Sequence, residues 1–166
     1  MTTTRVVRRI EAPCAAVYAA LLDPDLVQRW MVPDGMRSEV HHFDPVVGGG
    51  FRISLTYEVP DGRGKTDEAT DSFHGVFTRL VPDTAVVQLV AFETDDPDLQ
   101  GQMTIIYALE DVGGATRLVG THLGLPEGVD PEDNEVGWQM SIDKLAAIVE
   151  SAHAGGADPG DPAGKE

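Results

Sequence analysis

The stretch that decides the fold is residues 115–154, ATRLVGTHLGLPEGVDPEDNEVGWQMSIDKLAAIVESAHA. Its first part alternates in polarity and predicts a strand, with Leu118, Gly120 and His122 on the same side. Asp130-Pro131 then provides an N-cap and a first-turn proline, which together predict the start of a helix. A helix that continues to Ala154 is about 36 Å long, which is enough to cross a whole sheet.

That long helix carries one apolar stripe. Trp138, Ile142, Leu145 and Val149 recur at i, i+4, i+7 and i+11, the spacing of a single helix face. Such a face has to cover an apolar surface. The predicted sheet is the candidate for that surface, so the helix is expected to lie across it.

The segments before residue 115 supply the rest of that sheet and two short helices. A strand over Thr3–Glu11 comes first, and Pro13 and Asp23-Pro24 then open two short helices that end at Leu22 and Trp30. From Met36 onward the period changes to 2, with Gly, Pro and Asp between the apolar runs. Six strands are predicted there, over residues 37–43, 51–59, 70–81, 85–93, 102–110 and 115–123. The order β-α-α-β6-α indicates an α+β fold.

Length and composition indicate one domain with a short tail. The 166 residues suit a single core, which we assign to residues 1–154. Gly155-Gly156 is expected to end the last helix, and the Gly- and Pro-rich remainder of 155–166 predicts a disordered tail. The polar segment 61–68 predicts a mobile loop.

The net charge of the chain limits the classes of binding partner. Twelve Lys and Arg against 28 Asp and Glu give a formal charge of −16, which opposes binding to nucleic acid and to anionic membranes. No apolar run approaches the length of a membrane span or forms a signal core, so we expect a cytoplasmic protein. The one cysteine, Cys14, excludes intramolecular disulfides and cysteine-rich zinc sites.

The order of these elements resembles the helix-grip fold of the START/SRPBCC superfamily, which includes the birch-pollen-allergen-like proteins. Within that superfamily, the local sequence motifs resemble those of the family named after the activator of the ninety-kilodalton heat-shock chaperone's ATPase. The residues that carry this resemblance are Ile10-Glu11-Ala12-Pro13, Val17-Tyr18, Asp23-Pro24 to Trp30, Pro33-Asp34-Gly35, Gly48 to Arg52, Gly75 before Phe77, Gly113 to Leu118, Thr121-His122, and Gly137-Trp138 before Leu145. The resemblance covers residues 3–152.

The resemblance implies a curved antiparallel sheet around the C-terminal helix, with an apolar pocket between the two. We therefore expect a non-enzymatic carrier or sensor of a small, largely apolar or lipid-like metabolite. A chaperone cofactor that acts through its surface is one alternative, although we expect the grip domain to lack the separate N-terminal chaperone-binding domain of the eukaryotic activator. A polyketide cyclase or lyase is another.

The predicted ligand-binding residues face inward on the strands and on the long helix. They are Tyr57, Met103, Tyr107, Leu118, Gly120, His122, Trp138 and Ile142. Gly120 lacks a side chain, so it predicts free volume beside it. His122 is a candidate to orient a ligand or to be a satisfied core histidine, and Trp138 is a candidate core anchor or ligand contact.

No catalytic residue, metal ligand or cofactor is predicted. His41 and His42 are adjacent on a strand and point to opposite faces, so they cannot share a metal ion without a bulge. Gly48-Gly49-Gly50 lacks the Lys-Ser/Thr of a phosphate-binding loop and predicts a hairpin turn. Cyclase chemistry needs an acid and a base in the pocket, for which His122 with Tyr107 is the candidate pair.

Overall fold

The computed structural model describes residues 2–58 and 70–156, and it has the predicted order of elements. The elements are β1 (Thr2–Ile10), α1 (Cys14–Leu21), α2 (Pro24–Trp30), β2 (Met36–Phe43), β3 (Gly50–Tyr57), β4 (Thr70–Val81), β5 (Ala85–Phe92), β6 (Gln102–Val112), β7 (Ala115–Leu125) and α3 (Pro131–Gly156). The helix α3 includes Gly155 and Gly156, the first residues of the predicted tail. The predicted loop 61–68 and the tail residues 157–166 lie outside the described residues.

The seven strands form one antiparallel sheet. Their order is β1-β7-β6-β5-β4-β3-β2, so the strands from β2 to β7 form a continuous meander and β1 is added beside β7. This arrangement, with α3 across the inner face, is the predicted helix-grip fold. None of the helices in the described part of the chain is both long and apolar enough to span a bilayer.

Polarity alternates along the strands as predicted. In β3, Phe51 and Ile53 are buried on the inner face whereas Arg52 is exposed on the outer face.

A glycine in β4 permits the close packing of the Phe51 ring against the sheet. A Cβ at Gly75 would come within 2.6 Å of Cζ of Phe51 and 2.7 Å of the Leu89 carbonyl oxygen, so the ring of Phe51 depends on that bare backbone.

The two short helices close one end of the sheet. Oδ1 of Asp23 accepts from the backbone N–H of Asp25 at 2.9 Å, which is the predicted cap of α2. Trp30 at the end of α2 is fully buried and donates its indole N–H to the Ala20 carbonyl at 3.1 Å. Pro13 lies one residue before α1, in an extended conformation, and therefore precedes the first helical turn instead of occupying it.

The helix α3 is fixed to the edge strand β1 by polar contacts. The backbone N–H groups of Arg5 and Glu11 donate to the carboxylates of Glu135 and Glu150 at 3.0 and 2.9 Å. These bonds satisfy part of an otherwise unpaired strand edge. The C-terminal half of α3 packs closely under this edge, whereas its N-terminal half spans a cavity.

Candidate functional site

The cavity lies between the inner face of the sheet and the N-terminal half of α3. Its volume is about 660 Å³, within the range of small-molecule sites. Strands β3 to β7 provide one wall, and the segments before β2 and after β7 provide the sides. Exposed wall residues, among them Asp34, Asp133 and Val136, show where it opens to solvent.

Five of the eight predicted ligand-binding residues line this cavity. They are Tyr57, Met103, Tyr107, His122 and Trp138. They come from four different elements, β3, β6, β7 and α3, and the shared inward parity of the strands brings them together.

The other three predicted residues do not line the cavity. Leu118 and Ile142 are fully buried, and they belong to the closed core between the sheet and α3. Gly120 leaves no free volume, because the indole of Trp138 occupies the space above it. A Cβ at Gly120 would lie 2.8 Å from Cη2 and Cζ2 of that ring. The sequence prediction of a void at Gly120 is therefore wrong, since the indole of Trp138, the first residue of the apolar stripe of α3, fills that space.

Trp138 lies between His122 and Tyr107 in a row of rings that lines the cavity. Its ring stacks on His122 with centroids 3.5 Å apart and an interplanar angle of 24°. It meets Tyr107 edge to face at 6.0 Å, and Tyr107 meets Trp30 in the same way at 6.2 Å. Through these contacts the ring anchors α3 to the sheet, and it also presents surface to the cavity.

His122 is held by a polar contact from α3. The Asn134 amide nitrogen lies 2.9 Å from Nδ1 of His122 and 2.9 Å from Oγ1 of Thr4. As the amide N–H donates, Nδ1 accepts and the ring proton stays on Nε2. Burial lowers the pKa of His122 to about 3, so the imidazole is neutral at physiological pH.

Tyr107 is also held in its neutral form. Burial raises the pKa of its phenol well above the usual value, and a hydrogen bond with the Trp138 side chain offsets only part of that effect. Tyr107 thus contributes a neutral hydroxyl and an aromatic edge to the cavity.

Sequence reasoning missed several polar residues in the wall, among them Asp71, Gln88 and Asn134. The signal for Gln88 was present: it shares parity with the buried Val86 and Val90 and is the one polar residue of that inward set in β5. Asp71 likewise shares parity with Phe73 on β4. Asn134 precedes Trp138 by one helical turn, a position that no sequence pattern marks as a histidine partner.

Two other sequence features lie away from the cavity. A bulge occurs between Val40 and His42, and Nε2 of His41 lies 2.8 Å from Oγ of Ser54. Among residues 2–58 and 70–156, no group of three or more His, Cys, Asp or Glu side chains is placed to hold a metal ion. Sγ of Cys14 accepts a hydrogen bond from Oγ1 of Thr116 at 3.4 Å.

The curved antiparallel sheet, the long helix across it and the cavity between them define a helix-grip protein of the START/SRPBCC class. Residues 11–150 match the family model described as "Activator of Hsp90 ATPase homolog 1-like protein". The chain belongs to this family, as its sequence predicted.

Solved structures show the same fold. A crystal structure of a protein from Chromobacterium violaceum is 30% identical with a TM-score of 0.80, over 89% of this chain and 96% of that one. An AHSA1-like protein from Aeromonas hydrophila is 24% identical with a TM-score of 0.67, over 91% and 94%. A protein from Rhodobacter sphaeroides is 21% identical with a TM-score of 0.74, over 91% and 93%. Among curated proteins, none matches the chain.

Proposed function

We propose that this protein binds a small, largely apolar molecule in the cavity and acts as a non-enzymatic carrier or sensor. The observation that carries the proposal is the cavity itself. About 660 Å³ stays open between the sheet and the N-terminal half of α3, lined mostly by apolar and aromatic side chains with a few polar groups. A concave, largely apolar site of this size with a few polar groups is typical of small-molecule binding.

The state of the two candidate acid–base groups supports binding over cyclase chemistry. A histidine with a pKa of about 3 is neutral and too weak a base to remove a proton from carbon or oxygen near neutral pH. The buried phenol of Tyr107, with its raised pKa, is a poor acid under the same conditions. Both groups suit hydrogen bonding to a ligand better than proton transfer.

Native mass spectrometry tests this proposal. The intact protein is measured before and after exposure to a lipid and metabolite extract, and we expect an added mass that is lost on denaturation. A Leu55→Trp variant, which fills the cavity from β3, is expected to lose the added mass. Val7→Trp introduces the same side chain at an exposed site of β1 outside the wall, and it should keep the ligand. Bare protein under every condition contradicts the proposal.

The family description favours one second candidate, a chaperone cofactor that acts through its surface. In this role the protein stimulates ATP turnover by a bacterial chaperone of the ninety-kilodalton class. A steady-state ATPase titration tests it, and Leu55→Trp is expected to keep the stimulation because its bulk stays inside the cavity. A flat titration removes this candidate.

A further inference from the structure

Two buried polar side chains lie in one row across the floor of the cavity. In the strand register, Gln88 of β5 is opposite Ile105 of β6, and Ile105 is opposite His122 of β7. Residues that are directly opposite share a face of the sheet, so both polar side chains lie on the inner face. They are two strands apart, which places their backbones about 10 Å from each other with the apolar Ile105 between them.

His122 offers a hydrogen-bond donor to the cavity. Its Nδ1 is taken by Asn134, which leaves the proton on Nε2. The Nε2–H makes no hydrogen bond with any residue in the described part of the chain, and the ring lines the cavity. The stacked Trp138 indole fixes the orientation of the ring. The donor is therefore held in place before a ligand arrives.

Gln88 offers a second polar group. It is only 3% exposed, it lines the cavity, and its amide makes no hydrogen bond with the residues that the structure describes. Since no described residue pairs with this amide and its polar atoms are not sealed off from solvent, the amide is open to the cavity. A glutamine between Val86 and Val90 is therefore better explained by what the cavity holds than by the packing of the sheet.

The charges on the wall oppose an anion. Every formally charged side chain that lines the described cavity is an aspartate: Asp34, Asp71, Asp130 and Asp133. The nearby Lys144 does not line the cavity, and its ammonium is already engaged, since it donates to the Val32 carbonyl and pairs with Asp34 at 3.0 Å. Among the residues that the structure describes, the cavity wall thus offers no cationic side chain to a carboxylate or phosphate, and its aspartates favour an uncharged ligand.

We propose, on the basis of the function given above, that the ligand is uncharged and largely apolar and carries hydrogen-bond-accepting oxygen atoms. One such oxygen meets the Nε2–H of His122, and a second meets the amide N–H of Gln88. Esters, ketones and similar carbonyl compounds belong to this chemical class, whereas carboxylates and phosphates are rejected.

An isomeric pair of probes tests the charge preference. Methyl octanoate and nonanoic acid have the same atoms, but the acid is an anion at neutral pH. Displacement of the hydrocarbon fluorophore diphenylhexatriene from the protein reports binding of each. We expect the ester to act at a concentration at least tenfold lower than the acid. Equal or stronger displacement by nonanoate, or by octylammonium, overturns this inference while the proposed binding function stands. If neither the fluorophore nor the ester binds, both proposals fail.

A Gln88→Met variant tests the polar pair. Methionine keeps the volume of glutamine and removes the amide. The probe is dimethyl octanedioate, an uncharged diester whose two carbonyls are separated by six methylene groups and can address Gln88 and His122 together. We expect its affinity to fall about three- to tenfold, the effect of one net hydrogen bond, with diphenylhexatriene binding unchanged. Gln102→Met at an exposed position of β6 is the matched control and should leave both unchanged. An unchanged diester affinity in Gln88→Met overturns the role of Gln88.

The donor role of His122 has its own readout. The nitrogen chemical shifts of the ring distinguish a proton on Nε2 from one on Nδ1, and we expect Nε2 to carry it. Addition of the diester should shift the Nε2–H resonance of His122. A proton on Nδ1, or an unmoved resonance at saturation, overturns the assignment.

Discussion

The two halves of α3 carry the same apolar stripe and yet meet the sheet differently. In the C-terminal half, Leu145, Ala146 and Val149 are buried against the sheet and β1 without a gap. In the N-terminal half, Trp138 and Met140 line a cavity of about 660 Å³. An apolar helical period thus determines which side of a helix faces inward, whereas the side chains on the facing sheet determine whether the space between them closes.

The largest expected difference between the two halves is in stability. Leu145→Ala leaves a hole in the closed half, and we expect the free energy of unfolding to fall by about 2–5 kcal/mol. Met140→Ala only enlarges a space that is already open, so its expected cost is about 1 kcal/mol or less. Chemical denaturation of both variants measures the difference. Equal losses would contradict the assignment of the N-terminal half as open.

A pair of glycine substitutions tests how tightly the Trp138 indole packs against the sheet. Gly120→Ala puts a methyl group 2.8 Å from two carbons of the Trp138 indole, and we expect a loss of about 1–3 kcal/mol as that ring is displaced.

Gly137, which lies in α3 next to Trp138, is the matched control. A Cβ there would lie 3.6 Å from Cγ and 3.9 Å from Cβ of Pro33, which are ordinary contacts. Gly137→Ala should therefore stabilise the helix by about 0.5–1 kcal/mol. Thermal unfolding of the two variants gives opposite signs if the indole fills the space at Gly120. A neutral Gly120→Ala would show that Trp138 moves aside without cost.

The sequence predicted the fold because local signals agreed along the whole chain. Asp23 and Asp130 cap helices, Gly113-Gly114 connects β6 to β7 with both residues at positive φ, and period 2 continues through the sheet.

The candidate site was predicted only in part. Parity identifies inward residues such as Tyr57 and Met103, but it does not show which inward residues have a large neighbour above them. Gly120 and Trp138 are 18 positions apart in the chain, and their contact depends on how α3 crosses β7.

The smallest expected effect concerns pH and the polar link between α3 and the sheet. In the unfolded chain His122 has an ordinary pKa of about 6.5, whereas the folded value is about 3. Between these values the unfolded state binds more protons than the folded state, so the contribution of His122 to stability is complete above about pH 6.5 and is lost as the pH falls. Each unit of pH in that window is worth at most about 1.4 kcal/mol.

We therefore expect the wild-type protein to lose about 1–2 kcal/mol more stability than a His122→Gln variant when the pH is lowered from 7 to 5. Urea denaturation at the two pH values measures this double difference, in which the titration of the carboxylates cancels. His153→Gln, at an exposed position near the end of α3, is the control and should retain the wild-type dependence. Parallel behaviour of wild type and His122→Gln would mean that His122 becomes charged in the folded protein. In that case the open half of α3 would admit enough water to solvate an imidazolium, and the cavity would be wetter than its apolar lining indicates.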